Sequence, residues 1–334
     1  MTLSSDLTLP AGYTARPATL ADVEPTVAML NAASQALSGV DEHTTADWGS
    51  DWSAPGFDLA GQTRLVVAAD GAVAGYAVVW AAAPFTLLEQ WGCVHPAHTG
   101  CGLGTHLLTW AEATVRPFAA RASQPARLQT WVQRGDAGTQ ALLAERGYAL
   151  VRHFLRMAIE FDEAAPPSAP QWPEGVRVRA FVPGPDDERV YGVIRESFRD
   201  SWDYVPKPYQ EGLARWRHFI QHDDAFDPSL WFLAVTGTGA DERVVGTTFV
   251  RWTMPEDAER AWIRTIGVLP EWRRRGIAEA LLRHALSEIY RRGRRKAALG
   301  VDAASPTGAT RLYEKAGMHA VEAKTEEVWE KNLT

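Results

Sequence analysis

A glycine-containing turn in the C-terminal half carries the clearest chemical signal. The pattern Val268-x-Pro270-x-x-Arg273-x-x-Gly276-x-Ala278 follows a strand-like run and precedes a helix-like run. The first amides of a helix lack intrahelical acceptors and carry partial positive charge, so they bind phosphate. Gly276 and Ala278 leave room for a pyrophosphate beside the backbone. Charge-assisted contacts can come from three consecutive arginines, Arg273, Arg274 and Arg275.

A pattern with the same spacing occurs in the N-terminal half, Val94-x-Pro96-x-x-Thr99-x-x-Gly102-x-Gly104. The two patterns are 174 residues apart (268 − 94), just over half of the 334-residue chain. Neither has the spacing of the two common nucleotide-binding glycine loops, G-x-G-x-x-G and G-x-x-x-x-G-K-[ST]. The sequence therefore predicts an internal duplication of a different phosphate-cofactor fold, in which the two copies can differ in function.

The elements around each turn recur in the same order. Apolar runs bounded by glycine and aspartate predict strands, and apolar residues at helical spacing predict helices. In the first copy the strands are 64–69, 73–80, 87–94, 127–132 and 148–161, and the helices are 20–37, 102–115 and 137–146. In the second copy the strands are 230–235, 244–252, 261–268 and 296–301, and the helices are 189–198, 277–292 and 307–316. Hairpins mixed with crossover helices predict an α/β (α+β) fold in which each copy has a mixed, mostly antiparallel sheet with flanking helices.

A proline-rich stretch divides the two copies. Residues 162–174 contain Pro166, Pro167, Pro170 and Pro173, which are incompatible with a helix interior or a central strand. We expect an N-terminal domain at 1–161, this linker, and a C-terminal domain at 175–334.

A second pattern follows the C-terminal turn, Ala309-x-x-Leu312-Tyr313-x-x-x-Gly317-Met318. Together with residues 268–278, it closely resembles the motifs of the GNAT superfamily of acyl-CoA-dependent N-acetyltransferases. The resemblance covers most of residues 175–331 and extends to the tandem two-domain members of that superfamily. Ser305 stands where the family usually has asparagine, and Met318 stands where it usually has phenylalanine.

The resemblance implies roles for individual residues. Acetyl-CoA would be the cosubstrate, with no metal. One strand edge would pair with the pantetheine arm, the amides of the turn would hold the pyrophosphate, and Tyr313 would protonate the departing CoA thiolate. The implied cofactor-binding residues are Ile266, Gly267, Val268, Arg273, Arg274, Arg275, Gly276, Ile277, Ala278 and Ser305.

The first copy retains only part of this pattern. Gly102 and Gly104 are present, but Thr99 replaces the arginine of the turn. Aligning Gly147 with Gly317 places Leu143 where the second copy has its tyrosine. We therefore expect a degenerate N-terminal domain, which binds acyl-CoA weakly or only shapes the acceptor cleft, beside an active C-terminal domain.

The general base of the second copy has several candidates. Some GNAT enzymes keep a base where the first copy has Glu89, but the second copy has Trp262, Ile263 and Arg264 in that region. A water relay is one alternative. The side-chain candidates are Asp200, Asp203, Glu196 and His222.

The amino-acid composition restricts the expected cellular location and the expected classes of binding partner. The two cysteines do not make a disulfide framework, no apolar run approaches the ~20 residues of a membrane span, and the N-terminus lacks a secretion signal, so we expect a cytoplasmic protein. The net charge of −7 disfavours nucleic acid and suits an amine. Small amines, aminoglycosides, amino acids, peptide N-termini and cysteinyl glycosides all remain open as acceptors.

The expected function is transfer of an acetyl group from acetyl-CoA to a primary amine of a small molecule, by direct attack in the C-terminal domain. Two alternatives remain at this point. One is a non-catalytic acyl-CoA sensor or scaffold, and the other is an acyltransferase for longer chains, because the fold alone does not fix acyl length.

Overall fold

The computed structural model describes residues 8–162 and 166–333. The N-terminal residues 1–6, where we predicted no secretion signal, and residues 163–165 of the proline-rich stretch lie outside the described residues. The chain forms two compact units. Unit 1 takes its described residues from Met1–Arg152, Val205–Asp223 and Glu326–Thr334, and unit 2 takes them from His153–Tyr204 and Asp224–Thr325. Within the described residues, no helix has the length and apolarity needed to cross a bilayer.

The helices are α1 (Val23–Ser38), α2 (Thr45–Trp52), α3 (Leu59–Gln62), α4 (Leu103–Ala119), α5 (Ala137–Glu145), α6 (Asp187–Ser197), α7 (Tyr209–His222), α8 (Ile277–Arg291) and α9 (Ala309–Lys315). The strands are β1 (Tyr13–Arg16), β2 (Thr63–Ala68), β3 (Val73–Ala81), β4 (Leu87–Val94), β5 (Ala126–Gln133), β6 (Ala149–Glu160), β7 (Val176–Ala180), β8 (Trp231–Thr236), β9 (Arg243–Arg251), β10 (Arg260–Val268), β11 (Lys296–Asp302), β12 (His319–Ala320) and β13 (Glu326–Leu333).

The sheet of unit 1 has the strand order β1-β2-β3-β4-β5-β13. Neighbouring strands are antiparallel, except that β4 and β5 are parallel. β13 comes from the end of the chain and pairs with β5 along its whole length, which buries Val328 completely. Helix α4 covers the sheet with Leu107, Leu108 and Ala111, because these residues recur at helical spacing on one face.

The sheet of unit 2 has the strand order β6-β11-β10-β9-β8-β7, and β12 pairs with β6. Its neighbours are antiparallel except for the parallel pair β10 and β11. Helix α8 buries Leu281, Leu282 and Ala285. It packs on β8, β9 and β10, so the start of the helix is fixed at the end of β10.

The predicted mixed, mostly antiparallel fold with flanking helices is confirmed, and the elements around both turns are present. The compact units nevertheless combine ranges from both sequence halves, since α7 and β13 belong to unit 1 and Phe154–Glu160 of β6 pairs with β11 in unit 2. The sequence patterns did not predict α2, α3, α7, β12 and β13. Helix α7 has apolar residues at helical spacing, Leu213, Trp216 and Ile220, but charged and histidine residues between them obscure the pattern, and β13 has acidic or basic residues at four of its eight positions.

Candidate functional site

Strands β10 and β11 pair over only part of their length. Residues 260–262 pair with 296–298, although β10 continues to Val268 and β11 to Asp302. Among the described residues, no strand pairs with this edge of β10 beyond Trp262. The predicted residues Ile266, Gly267 and Val268 lie on that edge, where backbone groups can hydrogen-bond an extended ligand as an added strand would.

A β-bulge interrupts the pairing of β10 with β9 directly after Trp262, the last residue of β10 that pairs with β11. Ile263 lies opposite Val250 and Thr265 lies opposite Phe249, so Arg264 is the extra residue. Bulges disrupt the local ladder, redirect neighbouring groups and are over-represented beside active sites. The sequence predicted a strand over residues 262–264 but not the bulge.

The turn between β10 and α8 has two residues in the left-handed conformation. Arg274 has φ 60° and Gly276 has φ 83°. No side chain caps the first amides of α8, and a Cβ at Gly276 would meet no atom within 4 Å. The side chain of Ile277 is buried, so that residue offers a ligand only its backbone. The turn thus presents Arg274, Arg275, Gly276, Ile277 and Ala278 as an open, amide-rich start of a helix, which suits an anion.

Arg273 is engaged inside unit 2. Its guanidinium donates two hydrogen bonds to the Asp200 carboxylate, one of them 2.9 Å long. It also donates to the carbonyl oxygen of Ser197 at 2.9 Å and to that of Val268 at 3.3 Å. Arg273 therefore fastens the turn to the end of α6, and its guanidinium is occupied by protein acceptors. The hydrogen bond from Arg273 lowers the pKa of Asp200, which makes this candidate a weak general base.

The other charged side chains near the start of α8 also contact protein groups. The Arg275 guanidinium lies 4.6 Å from the centre of the Trp272 ring. Glu279, in the first turn of α8, accepts hydrogen bonds of 3.0 Å from Lys315 and from Arg283. The hydrogen bonds from these cations lower the pKa of Glu279, and that from Lys315 has the larger effect. The positive charges also offset the repulsion between Glu279 and an anion. Lys315 was missed in the sequence because it meets Glu279 across two helices.

Tyr313 is buried on α9, and burial raises its pKa to about 12. A phenol with this pKa remains protonated at neutral pH, as a proton donor to a thiolate must be. The Met318 amide donates a 3.0 Å hydrogen bond to the Tyr313 carbonyl oxygen, and Gly317 has φ 92°, so the end of the helix is closed. Ser305 lies in the turn before α9, where its hydroxyl is 3.0 Å from that of Thr307.

The corresponding turn of unit 1 has the same backbone form with different side chains. Gly100 has φ 74° where unit 2 has Arg274, and Gly102 has φ 81° where it has Gly276. Helix α4 also begins without a side-chain cap. The conformation is therefore shared, and the left-handed position occupied by an arginine is particular to unit 2.

Two other features of unit 2 differ in unit 1. The ladder between β3 and β4 runs without a register shift from Ala81–Leu88 to Gly75–Val94, so β4 has no bulge at the corresponding place. Leu143 takes the position of Tyr313, since the Tyr148 amide donates to the Leu143 carbonyl oxygen as Met318 does to Tyr313. Among the described residues, unit 1 thus has the same backbone turn without the bulge and without a tyrosine at the position of Tyr313.

The other candidate bases lie in different surroundings. Glu196 and Arg199 form an exposed ion pair at 3.6 Å on the surface of unit 2. His222 belongs to α7 in unit 1, where its Nδ1 is 2.8 Å from the His218 carbonyl oxygen. Asp203 lies in the turn after α6, half-buried.

Known proteins resemble this chain over most of its length. A sequence profile described as the acetyltransferase (GNAT) family matches residues 33–148 and 187–318. A mycothiol acetyltransferase from Saccharomonospora viridis is 34% identical over 238 residues, which cover 69% of this chain and 70% of that relative. One from Cellulomonas flavigena is 27% identical over 326 residues, covering 94% and 88%. The crystal structure of a GCN5-related N-acetyltransferase from Sphaerobacter thermophilus covers 97% of both chains, with a TM-score of 0.74 and 35% identity.

The two matched regions and these relatives show that the chain belongs to the GNAT acetyltransferase family and carries the family's fold twice. It is an N-acetyltransferase, and its chemistry is acyl transfer. The predicted family, fold and enzyme class are therefore confirmed.

The left-handed backbone of Arg274 gives a first prediction. A side chain at φ 60° costs about 1–2 kcal/mol, and glycine removes this cost but gains some freedom in the unfolded chain. Arg274→Gly is expected to raise the free energy of unfolding by roughly 0.5 kcal/mol, measured by urea denaturation. Arg275→Gly, next in the chain, should lower it, since Arg275 packs on Trp272. Destabilisation by both changes to the same extent would contradict the strain at Arg274.

Proposed function

We propose that the C-terminal GNAT domain, predicted at 175–334, transfers an acetyl group from acetyl-CoA to a primary amine of a small molecule, and that the N-terminal domain at 1–161 is catalytically degenerate. The observation that carries this proposal is the coincidence in unit 2 of the bulge at Arg264, the open turn at Gly276 and the buried phenol of Tyr313. Of these three features, the described residues of unit 1 have only the turn.

The proposed binding site of acetyl-CoA is formed by the backbone of unit 2. The pantetheine arm would lie along Ile266, Gly267 and Val268, extending the sheet at the edge that β11 leaves. The pyrophosphate would meet the amides at the start of α8. Gly267 supports this edge, because a Cβ there would come within 3.0 Å of the Ser197 side chain. GNAT acetyltransferases use acetyl-CoA, which supports this cosubstrate over longer acyl chains.

The proposed reaction is a direct transfer. The neutral amine attacks the thioester carbonyl carbon, and the C=O electron pair moves to oxygen to form a tetrahedral oxyanion. We propose that backbone amides near the bulge donate hydrogen bonds to this oxyanion. As the oxyanion collapses, the C–S bond breaks and Tyr313 gives its proton to the CoA sulfur. The new amide nitrogen loses its extra proton to water, and water restores the phenol.

The acceptor is proposed as a small-molecule amine. The relatives' shared name, mycothiol acetyltransferase, supports a small acceptor and makes cysteinyl glycosides the first compounds to test. We place the reaction in the cytoplasm on the expectation from the sequence. A sensor or scaffold without turnover remains the competing function, and the measurement of thiol release with amines separates the two.

Removal of the phenol tests the proton donor. Tyr313→Phe is expected to lower kcat by about 10²–10⁴-fold, while the dissociation constant of acetyl-CoA changes little, because the hydroxyl acts on the leaving group. Thiol release and calorimetric binding measure the two quantities. Tyr148→Phe, which removes a buried phenol from unit 1, is the control and should leave kcat unchanged. An unchanged kcat in Tyr313→Phe would remove Tyr313 from the mechanism.

A matched pair of glycine substitutions tests which domain is active. Gly102→Val and Gly276→Val place the same side chain at φ 81° and φ 83°, so the backbone strain is alike. Gly276→Val is expected to abolish acetyl-CoA turnover because the Cβ substituents occupy the space for the pyrophosphate. Gly102→Val should retain it. Loss of activity only in Gly102→Val would transfer the active site to unit 1, and full activity in both would refute the proposed pyrophosphate seat.

A further inference from the structure

The gap between β10 and β11 is closed on one face of the sheet and open on the other. Ile263 and Leu299 flank the gap on the closed face and are each 2% exposed. Ile263 shares this face with Val250, its partner on β9, and a side chain at Gly246 of β9 would meet helix α8 there. Gly300 of β11 lies on the opposite face and is exposed. An amine can therefore approach a thioester in the gap from the face of Gly300, here called the open face.

Trp262 borders the open face at the point where the strands separate. It is the last residue of β10 that pairs with β11, as Glu89 is the last residue of β4 that pairs with β5. Its indole lies over Gly300, because a Cβ on that glycine would be 3.6 Å from the ring. Trp262 thus occupies the position at which unit 1 has a carboxyl group. An indole is only a hydrogen-bond donor, so this position of unit 2 cannot accept a proton from an amine.

A carboxyl group reaches the open face from a different element. Arg156 on β6 lies opposite Gly300, and its guanidinium is 5.2 Å from the centre of the Trp262 ring. The guanidinium donates a hydrogen bond to Oε1 of Glu256, in the loop between β9 and β10. The Glu256 side chain is 10% exposed, so most of it is enclosed by protein. Arg156 therefore holds this carboxylate beside Trp262, and a carboxylate with one engaged oxygen can accept further hydrogen bonds.

The other two carboxyl groups of this loop lie near the beginning of the strands. Asp257 accepts a hydrogen bond of 3.1 Å from Lys296, the first residue of β11. Glu259 is paired at 2.5 Å with Arg294, which precedes β11, and its side chain is 71% exposed. Both pairs are at the end of β11 that remains paired with β10. Of the three carboxyl groups, Glu256 is the one held at the gap.

We propose that Glu256 is the proton acceptor for the incoming amine in unit 2, and that Arg156 positions its carboxylate on the open face. This inference rests on the proposed acetyl transfer and adds to it a residue that the amine contacts. As the nitrogen attacks the thioester carbon, one N–H bond breaks and its electron pair stays on nitrogen. The proton binds to a carboxylate oxygen of Glu256, which then passes it to water. Tyr313 supplies the separate proton that the CoA sulfur receives.

Hydroxylamine is a suitable probe, because this amine is small enough to enter an acceptor cleft of any specificity. Its product with acetyl-CoA, acetohydroxamate, is measured by the colour of its ferric complex. Glu256→Gln keeps the shape of the side chain and an oxygen for Arg156, but it removes the carboxylate. This variant is expected to lower kcat/KM for hydroxylamine about 10²-fold, with little change in the dissociation constant of acetyl-CoA. Glu259→Gln, the same change in the same loop, should retain the wild-type value.

Added formate separates proton acceptance from structural support. Glu256→Ala leaves a space that formate can enter, and formate supplies the missing carboxylate. We expect formate to raise kcat/KM of Glu256→Ala at least about tenfold and to leave that of Glu259→Ala unchanged. Calorimetric titration with acetyl-CoA shows whether each variant retains its folded coenzyme site.

The outcomes distinguish this inference from the proposed function. Equal kcat/KM values in Glu256→Gln and Glu259→Gln would overturn the role of Glu256 and leave acetyl transfer in unit 2 intact. A loss of activity in Glu256→Ala without rescue by formate would also overturn it, because a purely structural role gives that result. Failure of the wild-type chain to accelerate the reaction with hydroxylamine would overturn the proposed acetyl transfer, and this inference with it.

Discussion

The separation of two parallel strands is the constraint on which the site depends. Once β10 leaves β11, its backbone donors and acceptors on that edge lose their place in the sheet. Unpaired backbone groups must be satisfied by water or a ligand. In the proposed complex an extended amide-containing arm takes the place of the missing strand, and the helix that begins beyond β10 receives the anionic end of the same molecule. Under this proposal one opening in the sheet determines both the position and the direction of an acyl-CoA.

The packing around this opening keeps it rigid. Arg273 ties the turn to the end of α6 through the Asp200 carboxylate and the Ser197 carbonyl group, and to the end of β10 through the Val268 carbonyl group. Gly267 permits α6 to approach the strand closely. The cost of holding Arg274 in a left-handed conformation is offset by these contacts, and such backbone strain concentrates at functional sites. In unit 1 the same backbone turn uses glycine, and no arginine takes the place of Arg273.

The family motifs were predictable from the sequence because short spacings fix them. Gly276 and Tyr313 lie beside a strand end and a helix end whose positions follow from apolar periodicity. The engagement of Arg273 with Asp200 was not predictable, since the two are distant in sequence and both types usually lie in water. The bulge left no signal in the sequence, because the predicted strands 87–94 and 261–268 differ by 174 at both ends. Only the strands of the structure, Leu87–Val94 and Arg260–Val268, show that β10 has one residue more than β4.

The set of helices and strands that form unit 1 could not be predicted from their order in the sequence. β13 is highly charged, and only its pairing with β5 shows why Val328 is apolar. Similarly, Glu42, Trp48 and Trp91 belong to different elements, so their meeting around one cavity depends on the fold. Both units descend from one pattern, yet the residues that distinguish them lie mostly outside the motifs that reveal the duplication.

Hydrogen–deuterium exchange with mass spectrometry, with and without acetyl-CoA, tests the central claim most directly. The account predicts that acetyl-CoA slows exchange in peptides covering residues 263–280, where the free strand edge and the first turn of α8 lie, and leaves peptides covering 89–106 unchanged. Slowed exchange at 89–106 alone would contradict the assignment of acyl transfer to the C-terminal domain.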